Sequence, residues 1–150
     1  MTEPVLKIEI LPGNEDLNLP AYATDGAAGL DLRAALTEPF TLKPGERGVI
    51  STGLKMAVPA GYEGCVRPRS GLAMKHGLTL TNSPGTIDSD YRGEVKILMI
   101  NLGQEPVVLQ RGDRIAQLLI SPVAHTQVIK VESLDDTARG GGGFGHTGVQ

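Results

Sequence analysis

Short apolar runs alternate with turn-forming clusters along the whole chain, the pattern of an all-β protein. Strands are predicted over 5–11, 29–34, 39–42, 47–58, 62–67, 78–82, 92–101, 106–110, 114–121 and 124–132. Between them stand Leu-Pro-Gly, Lys-Pro-Gly-Glu, Pro-Ala-Gly-Tyr, Asn-Leu-Gly and Gln-Arg-Gly-Asp, all turn sequences. No stretch keeps a helical period over three turns. One short helix is predicted at Ser70–Lys75, with Ser70 as N-cap and Gly77 ending it in a left-handed conformation. Strands at this spacing predict a sandwich or barrel. Segment 95–100 is apolar on both faces except at Lys96. A central strand is therefore expected there, covered on both sides by the fold or by another subunit. Segment 115–120 is equally apolar apart from Gln117, whose amide either bonds neighbouring backbone or meets a ligand.

Composition sharpens this picture. The chain has 150 residues, enough for one domain with a real core. Aromatics make up 3% with no Trp, so that core must come from Ile, Val, Leu, Ala and Met. The last dozen residues, beginning Arg139-Gly-Gly-Gly-Gly-Phe144, cannot build a core. A compact domain over 1–138 and a flexible arm over 139–150 are expected. Net charge is −3, against a general polyanion binder, so no stable nucleic-acid binding is expected. From Arg67 to Arg114, however, seven Lys/Arg stand against five Asp/Glu, suggesting a local site for a small anion. Cys65 is the single cysteine and has no internal disulfide partner, which suits a reducing, cytoplasmic setting. The start MTEPVLKIEI does not read as a secretory leader. No apolar run approaches the length of a membrane span.

Five segments can carry chemistry. Ala28-Gly-Leu-Asp-Leu32 puts Asp31 inside an apolar strand, where an acid needs Arg, backbone donors or a hydrated metal. Pro68-Arg-Ser-Gly-Leu-Ala73 puts Arg69 and Ser70 at the helix start, where free N–H groups favour anions, and Gly71 admits close approach. A capped surface helix explains the same residues without a ligand. Gly85-Thr-Ile-Asp-Ser-Asp-Tyr-Arg-Gly-Glu-Val95 sets Asp88 at a strand end, able to orient a water as general base. Asp88 and Asp90 are equally good turn formers, and Tyr91 is equally readable as a core ring with its hydroxyl exposed. Arg111-Gly-Asp-Arg-Ile-Ala-Gln-Leu118 also reads as a hairpin turn in which Asp113 and Arg114 pair with each other. The glycine-rich tail is either loose or orders over a ligand.

In this order the five segments closely resemble the five motifs of the trimeric dUTPase family, bacterial type, from about Tyr22 to Gly148. The resemblance implies a jelly-roll-like β-barrel or sandwich with a mobile C-terminal arm. It also implies a homotrimer whose active sites lie at subunit interfaces, with the last strand region crossing onto a neighbour. It implies hydrolysis of dUTP to dUMP and pyrophosphate with Mg2+, limiting uracil in DNA and supplying dUMP for thymidylate synthesis. By the same resemblance Asp88 is the general base and Tyr91 packs on deoxyribose. Arg69, Ser70 and Gly71 grip phosphates, while Asn82, Thr86, Ile87 and the Lys96 backbone hold uracil. Gln117 is a phosphate-side amide, and Asp31 acts on magnesium through water. In the arm, Arg139 reaches the terminal phosphate and Phe144 covers the base. His146 stands where many relatives carry Ser, so no phosphate contact is assigned to it.

These assignments suit the chemistry. Phosphoryl transfer needs positioning and charge neutralisation more than covalent help. Magnesium binds phosphate oxygens and keeps several waters, so no protein cage is expected. Absence of a Cys/His cluster speaks against a deaminase-type zinc site. Two rivals stand beside this reading: a dCTP deaminase, which shares the fold, and a non-catalytic jelly-roll binding or signalling subunit. Ammonia release from dCTP marks the first; loss of the Asp88 carboxylate would mark the second.

Overall fold

The computed structural model describes residues 3–146. Ten antiparallel strands and one helix follow in order: β1 (Lys7–Ile10), β2 (Leu30–Arg33), β3 (Phe40–Leu42), β4 (Arg47–Ala57), β5 (Tyr62–Arg67), α1 (Ser70–His76), β6 (Leu78–Leu80), β7 (Gly85–Ile87), β8 (Glu94–Asn101), β9 (Val107–Leu109) and β10 (Arg114–Pro122). One four-stranded sheet runs β1-β4-β8-β6, a second runs β2-β10-β5-β7, and β3 pairs with β9. The sheets do not close on one another, so the architecture is the predicted sandwich and not a barrel.

Alternation along the strands explains the layers. On β8, Val95, Ile97 and Met99 point inward with Ile50 and Met56 of β4 and Leu78 of β6. From the other sheet come Leu32, Val66, Ile87 and Leu118, completing one aliphatic core. Burying each such side chain stabilises by roughly 1.5–3 kcal/mol, which lets a chain without Trp hold a sandwich. Cys65 is buried within β5. The second face of β8 is not covered within the fold: Leu98 is 38% exposed, and Val49, opposite it on β4, is 59% exposed. Of the two covers expected for it, another subunit is the one left open.

Two local features set the shape near the eventual site. The β4–β8 ladder slips between Ser51↔Lys96 and Lys55↔Glu94, where four residue steps on β4 face two on β8. Thr52 supports the bulge by donating to Val95 O at 2.6 Å and accepting from Leu54 N–H at 3.3 Å. Gly53 turns through φ 68°, its N–H donating to Glu94 Oε1 at 3.1 Å. A Cβ at Gly53 would fall 2.5 Å from Asn14 Cγ, so both its conformation and its space call for glycine. At the other end of β8, fully buried Asn101 donates to Leu42 O and Glu105 O and accepts from Gly103 N–H. The Leu102 N–H donates to Gly77 O, fixing the end of α1 to this turn.

Three predicted details change. The cap of α1 is Arg69, not Ser70, and no side chain bonds there, because the helix itself starts at Ser70. Gly77 does end it in the left-handed region, at φ 68°. Strand β7 is missing from the strands that alternation predicts; three residues are too few for periodicity to reveal, and pairing with β5 makes the strand. Segment 124–132, predicted as a strand, pairs with no strand among the described residues. Val128 and Ile129 are 91% and 70% exposed.

Arg111 fastens the N-terminal loop to the β9–β10 turn. It donates to Asp16 Oδ2 at 3.0 Å, Gly13 O at 2.9 Å and Leu36 O at 3.2 Å. Its guanidinium holds the Asp16 carboxyl below the ordinary 3.8. A carboxyl depressed on folding stabilises above its unfolded pKa and loses that contribution as pH falls through the depressed value. Asp16→Asn is therefore expected to lower the urea midpoint at pH 7, and the gap from wild type should close as pH drops below 3.8. Midpoints across pH 2–7 check this; a gap constant with pH would assign Asp16 a role other than its charge.

Candidate active site

A cleft of about 380 Å³ opens between β7 and β8. Its walls include Asn82, Thr86, Ile87, Asp88, Tyr91 and Lys96. These six, singled out in sequence, come together because β7 of one sheet and β8 of the other both contribute to the walls of the cleft. Gly85 begins β7 against Val66 of β5, so the hairpin leans on the core. Asp88 follows directly after β7 and is exposed. The Tyr91 N–H donates to Asp88 O at 3.1 Å, closing the turn between them. Tyr91 Oη donates to Glu94 O at 3.0 Å, and its ring stays 44% exposed beside the cleft. Tyr91 is thus no core ring. Lys96 Nζ lies 3.7 Å from Glu94 Oε2, pointing to solvent. The cleft is also walled by Val66, Leu80 and Ile97, and by Glu94, all absent from the sequence-based site. Glu94 carried a signal, as the acid after Tyr91-Arg-Gly; the aliphatic residues carried none, because core and cleft walls share one alternation.

A second grouping forms on the β2–β10–β5 sheet. Gln117 stands in register with Asp31 on one side and Arg67 on the other. Asp31, 11% exposed, faces Arg69 Nε at 3.4 Å and accepts from Arg114 Nη1 at 3.1 Å. Arg69 Nη1 also donates to Arg114 O at 3.0 Å. The Asp113–Arg114 pair, the alternative reading of this segment, does not form. Asp113 instead accepts the Gln110 N–H at 2.8 Å as a turn former, leaving Arg114 at the strand start to meet Asp31. Asp31 Oδ1 is buried without a hydrogen-bond donor of adequate geometry, despite its nearness to Arg69. Among the described residues no three His, Cys, Asp or Glu gather into a metal site.

The remaining predicted residues stay apart. Arg69, Ser70, Gly71 and Gln117 do not line the cleft that holds Asp88. Arg69 and Arg114 open instead on a separate groove beside β9. In the arm, Arg139 Nε donates to Gly142 O at 2.8 Å, and Phe144 is fully exposed at φ 51°. The end of the expected arm, residues 147–150, lies outside the described residues. No helix of the described residues is long and apolar enough to cross a membrane.

Fold and cleft define a class: an antiparallel β-sandwich with a cleft between its sheets, lined by an exposed carboxylate and a tyrosine. Comparison narrows this to one family. The dUTPase family model matches residues 15–148. The deoxyuridine 5'-triphosphate nucleotidohydrolase of Rhizobium etli is 57% identical, over 99% of this chain and 96% of that protein. That of an Anaeromyxobacter species is 62% identical, over 88% of each. Among solved structures, the dUTPase of Staphylococcus bacteriophage 80alpha with dUpNHpp is 28% identical, with TM-score 0.86, covering 97% of this chain and 99% of that one. The phage phi11 dUTPase of S. aureus, described with a structural Mg(II) ion, is 26% identical with TM-score 0.77, over 86% and 97%. The chain belongs to the dUTPase family and is of its bacterial type. Its enzymatic class follows: a nucleotidohydrolase acting on dUTP.

Asp31 lies between two guanidinium groups, so removing it leaves two like charges without their shared counter-ion. Asp31→Ala is expected to destabilise the fold by about 1–3 kcal/mol. Adding Arg114→Ala should recover part of that loss, as measured by urea unfolding of the single and double variants.

Proposed function

We propose that this chain splits dUTP into dUMP and pyrophosphate at sites completed by three copies, with Asp88 activating the water. One observation carries the reading. The cleft lined by Asp88 and Tyr91 contains none of the arginines a triphosphate requires. Arg69 lies elsewhere on the same chain, and Arg139 sits in an arm that touches no core. A triphosphate carries close to four negative charges, so a cleft lacking them is half a site. A neighbouring copy presenting Arg69, Ser70, Gly71 and Gln117, and a third lending its arm, would complete it. The uncovered β8 face, the unpaired segment 124–132 and the solvent-exposed Phe144 all suit a chain that finishes its packing on others.

In this reading uracil enters between β7 and β8. Backbone groups beside Asn82, Thr86, Ile87 and Lys96 hydrogen-bond its edge, and the narrow slot excludes a 5-methyl group, worth about 1–3 kcal/mol. Tyr91 lies against deoxyribose. Asp88 takes a proton from water as the oxygen attacks the α-phosphorus. The bond from that phosphorus to its bridging oxygen then breaks, and pyrophosphate leaves. Ser70 lies by the bridging oxygen, and Arg69, Gln117 and Arg139 hold the phosphates. Phe144 covers the base as the arm closes, keeping bulk water from the reacting centre.

Magnesium fits the residues in one way. With no acidic cage among the described residues, it would be held by phosphate oxygens and water, and the buried Asp31 Oδ1, lacking a donor, suits one such water. When bound, the ion would supply charge neutralisation on the triphosphate. The cell compartment we assign is the cytoplasm, where dUTP arises and a lone buried thiol stays reduced. The biological outcome is less uracil in DNA and a supply of dUMP for thymidylate synthesis.

Asp88→Asn should lower kcat by roughly 10²–10⁴-fold while a non-hydrolysable dUTP analogue still binds. Pyrophosphate release and calorimetric titration measure the two effects; an unchanged rate removes Asp88 from the mechanism. Deleting 139–150 should leave the fold and assembly intact and abolish most turnover. Mixing that variant with Asp88→Asn and refolding them together should restore part of the activity if sites span chains. Absence of recovery would favour single-chain sites.

A further inference from the structure

Gly93 has no conformational reason to be glycine, since its φ lies outside the left-handed region occupied by eight other glycines of the chain. Space is the reason. A Cβ there would stand 2.6 Å from Tyr91 Cζ, 3.0 Å from Cε2 and closer still to Oη. The Tyr91 ring therefore lies directly across Gly93, held at both ends. Its main-chain N–H donates to Asp88 O, and its hydroxyl reaches over Gly93 to the Glu94 carbonyl. The strand behind is equally fixed, because Glu94 Oε1 accepts the Gly53 N–H across the bulge. With turn and strand both anchored, a side chain at position 93 can be accommodated only by turning the ring outward.

We propose that Gly93 is a specificity-determining positioning residue, whose missing side chain seats Tyr91 at the depth that excludes a ribose 2′-hydroxyl. This rests on the reading of Tyr91 as the ring against deoxyribose. Gly93 touches no substrate; it acts through the ring. A ring displaced outward widens the slot on the sugar side while leaving the base hairpin at Thr86 and Ile87 in place. Discrimination against UTP should fall before dUTP turnover does.

The experiment compares kcat and KM for dUTP and UTP in wild type, Gly93→Ala and Tyr91→Ala. Gly93→Ala is expected to reduce the dUTP/UTP ratio of kcat/KM by about tenfold or more, with the change carried mainly in KM. A wild type that leaves dUTP intact would overturn the proposed function itself. Full discrimination in Tyr91→Ala would overturn the role of the ring. If Tyr91→Ala loses discrimination while Gly93→Ala keeps it, only the present inference fails. Thermal unfolding supplies a second readout that survives poor folding of Gly93→Ala. In the Tyr91→Ala background the three atoms nearest the added methyl are gone, so it should leave Tm unchanged, whereas in wild type it should lower it. An equal loss of Tm in both backgrounds would overturn the steric argument.

Discussion

The interrupted pairing of β4 with β8 organises the molecule. These two strands form the centre of one sheet, and a regular ladder between them would run flat from Arg47 to Ala57. Two extra residues on β4 instead force a bulge, which survives only because each loosened polar group finds a partner. The Thr52 hydroxyl reaches the Val95 carbonyl, and the Glu94 carboxylate reaches the Gly53 N–H. An unpaired buried group would cost about 1–3 kcal/mol, so losing any of these partners would favour a different register. The bulge starts β8 at Glu94, and from there Val95, Lys96 and Ile97 form the wall of the cleft. Core packing and substrate space are thus set by the same few hydrogen bonds.

Charge is distributed in the opposite manner. The cleft brings an acid, a tyrosine and backbone groups together, whereas the guanidinium groups collect around Asp31 on the other sheet. Within one chain Asp31 offsets the repulsion between Arg69 and Arg114 and keeps them ordered without a ligand. Separation of the cleft's acid and tyrosine from these guanidinium groups on one polypeptide is what supports the proposed site between copies.

The apolar surface tells the same story from packing. Val49 and Leu98 stand opposite each other on the outer face of the central ladder, and Val128, Ile129, Val131 and Leu134 lie exposed along the extended tail. Scattered apolar residues on a surface need no explanation, but two strand faces and a tail of strand-like composition do. The assembly proposed above would cover them without rearranging the sandwich.

Much of this was legible from residue order alone. Alternation with period two and turn chemistry located nine of the ten strands and the left-handed end of α1 at Gly77, because both are local rules acting over a few residues. The five motifs identified the family and named Asn82, Thr86, Ile87, Asp88, Tyr91 and Lys96, which do share one cleft. Other features depend on contacts between distant positions, which no local pattern encodes. Strand β7 exists because β5 pairs with it, and Asp31 meets Arg69 and Arg114 because β2 and β10 are neighbours. Segment 124–132 has the composition of a strand yet remains single, since a strand needs a partner and the described residues supply none. Gly93 looks in sequence like an ordinary turn glycine; only the ring of Tyr91 lying across it reveals that space, not flexibility, is what the position requires.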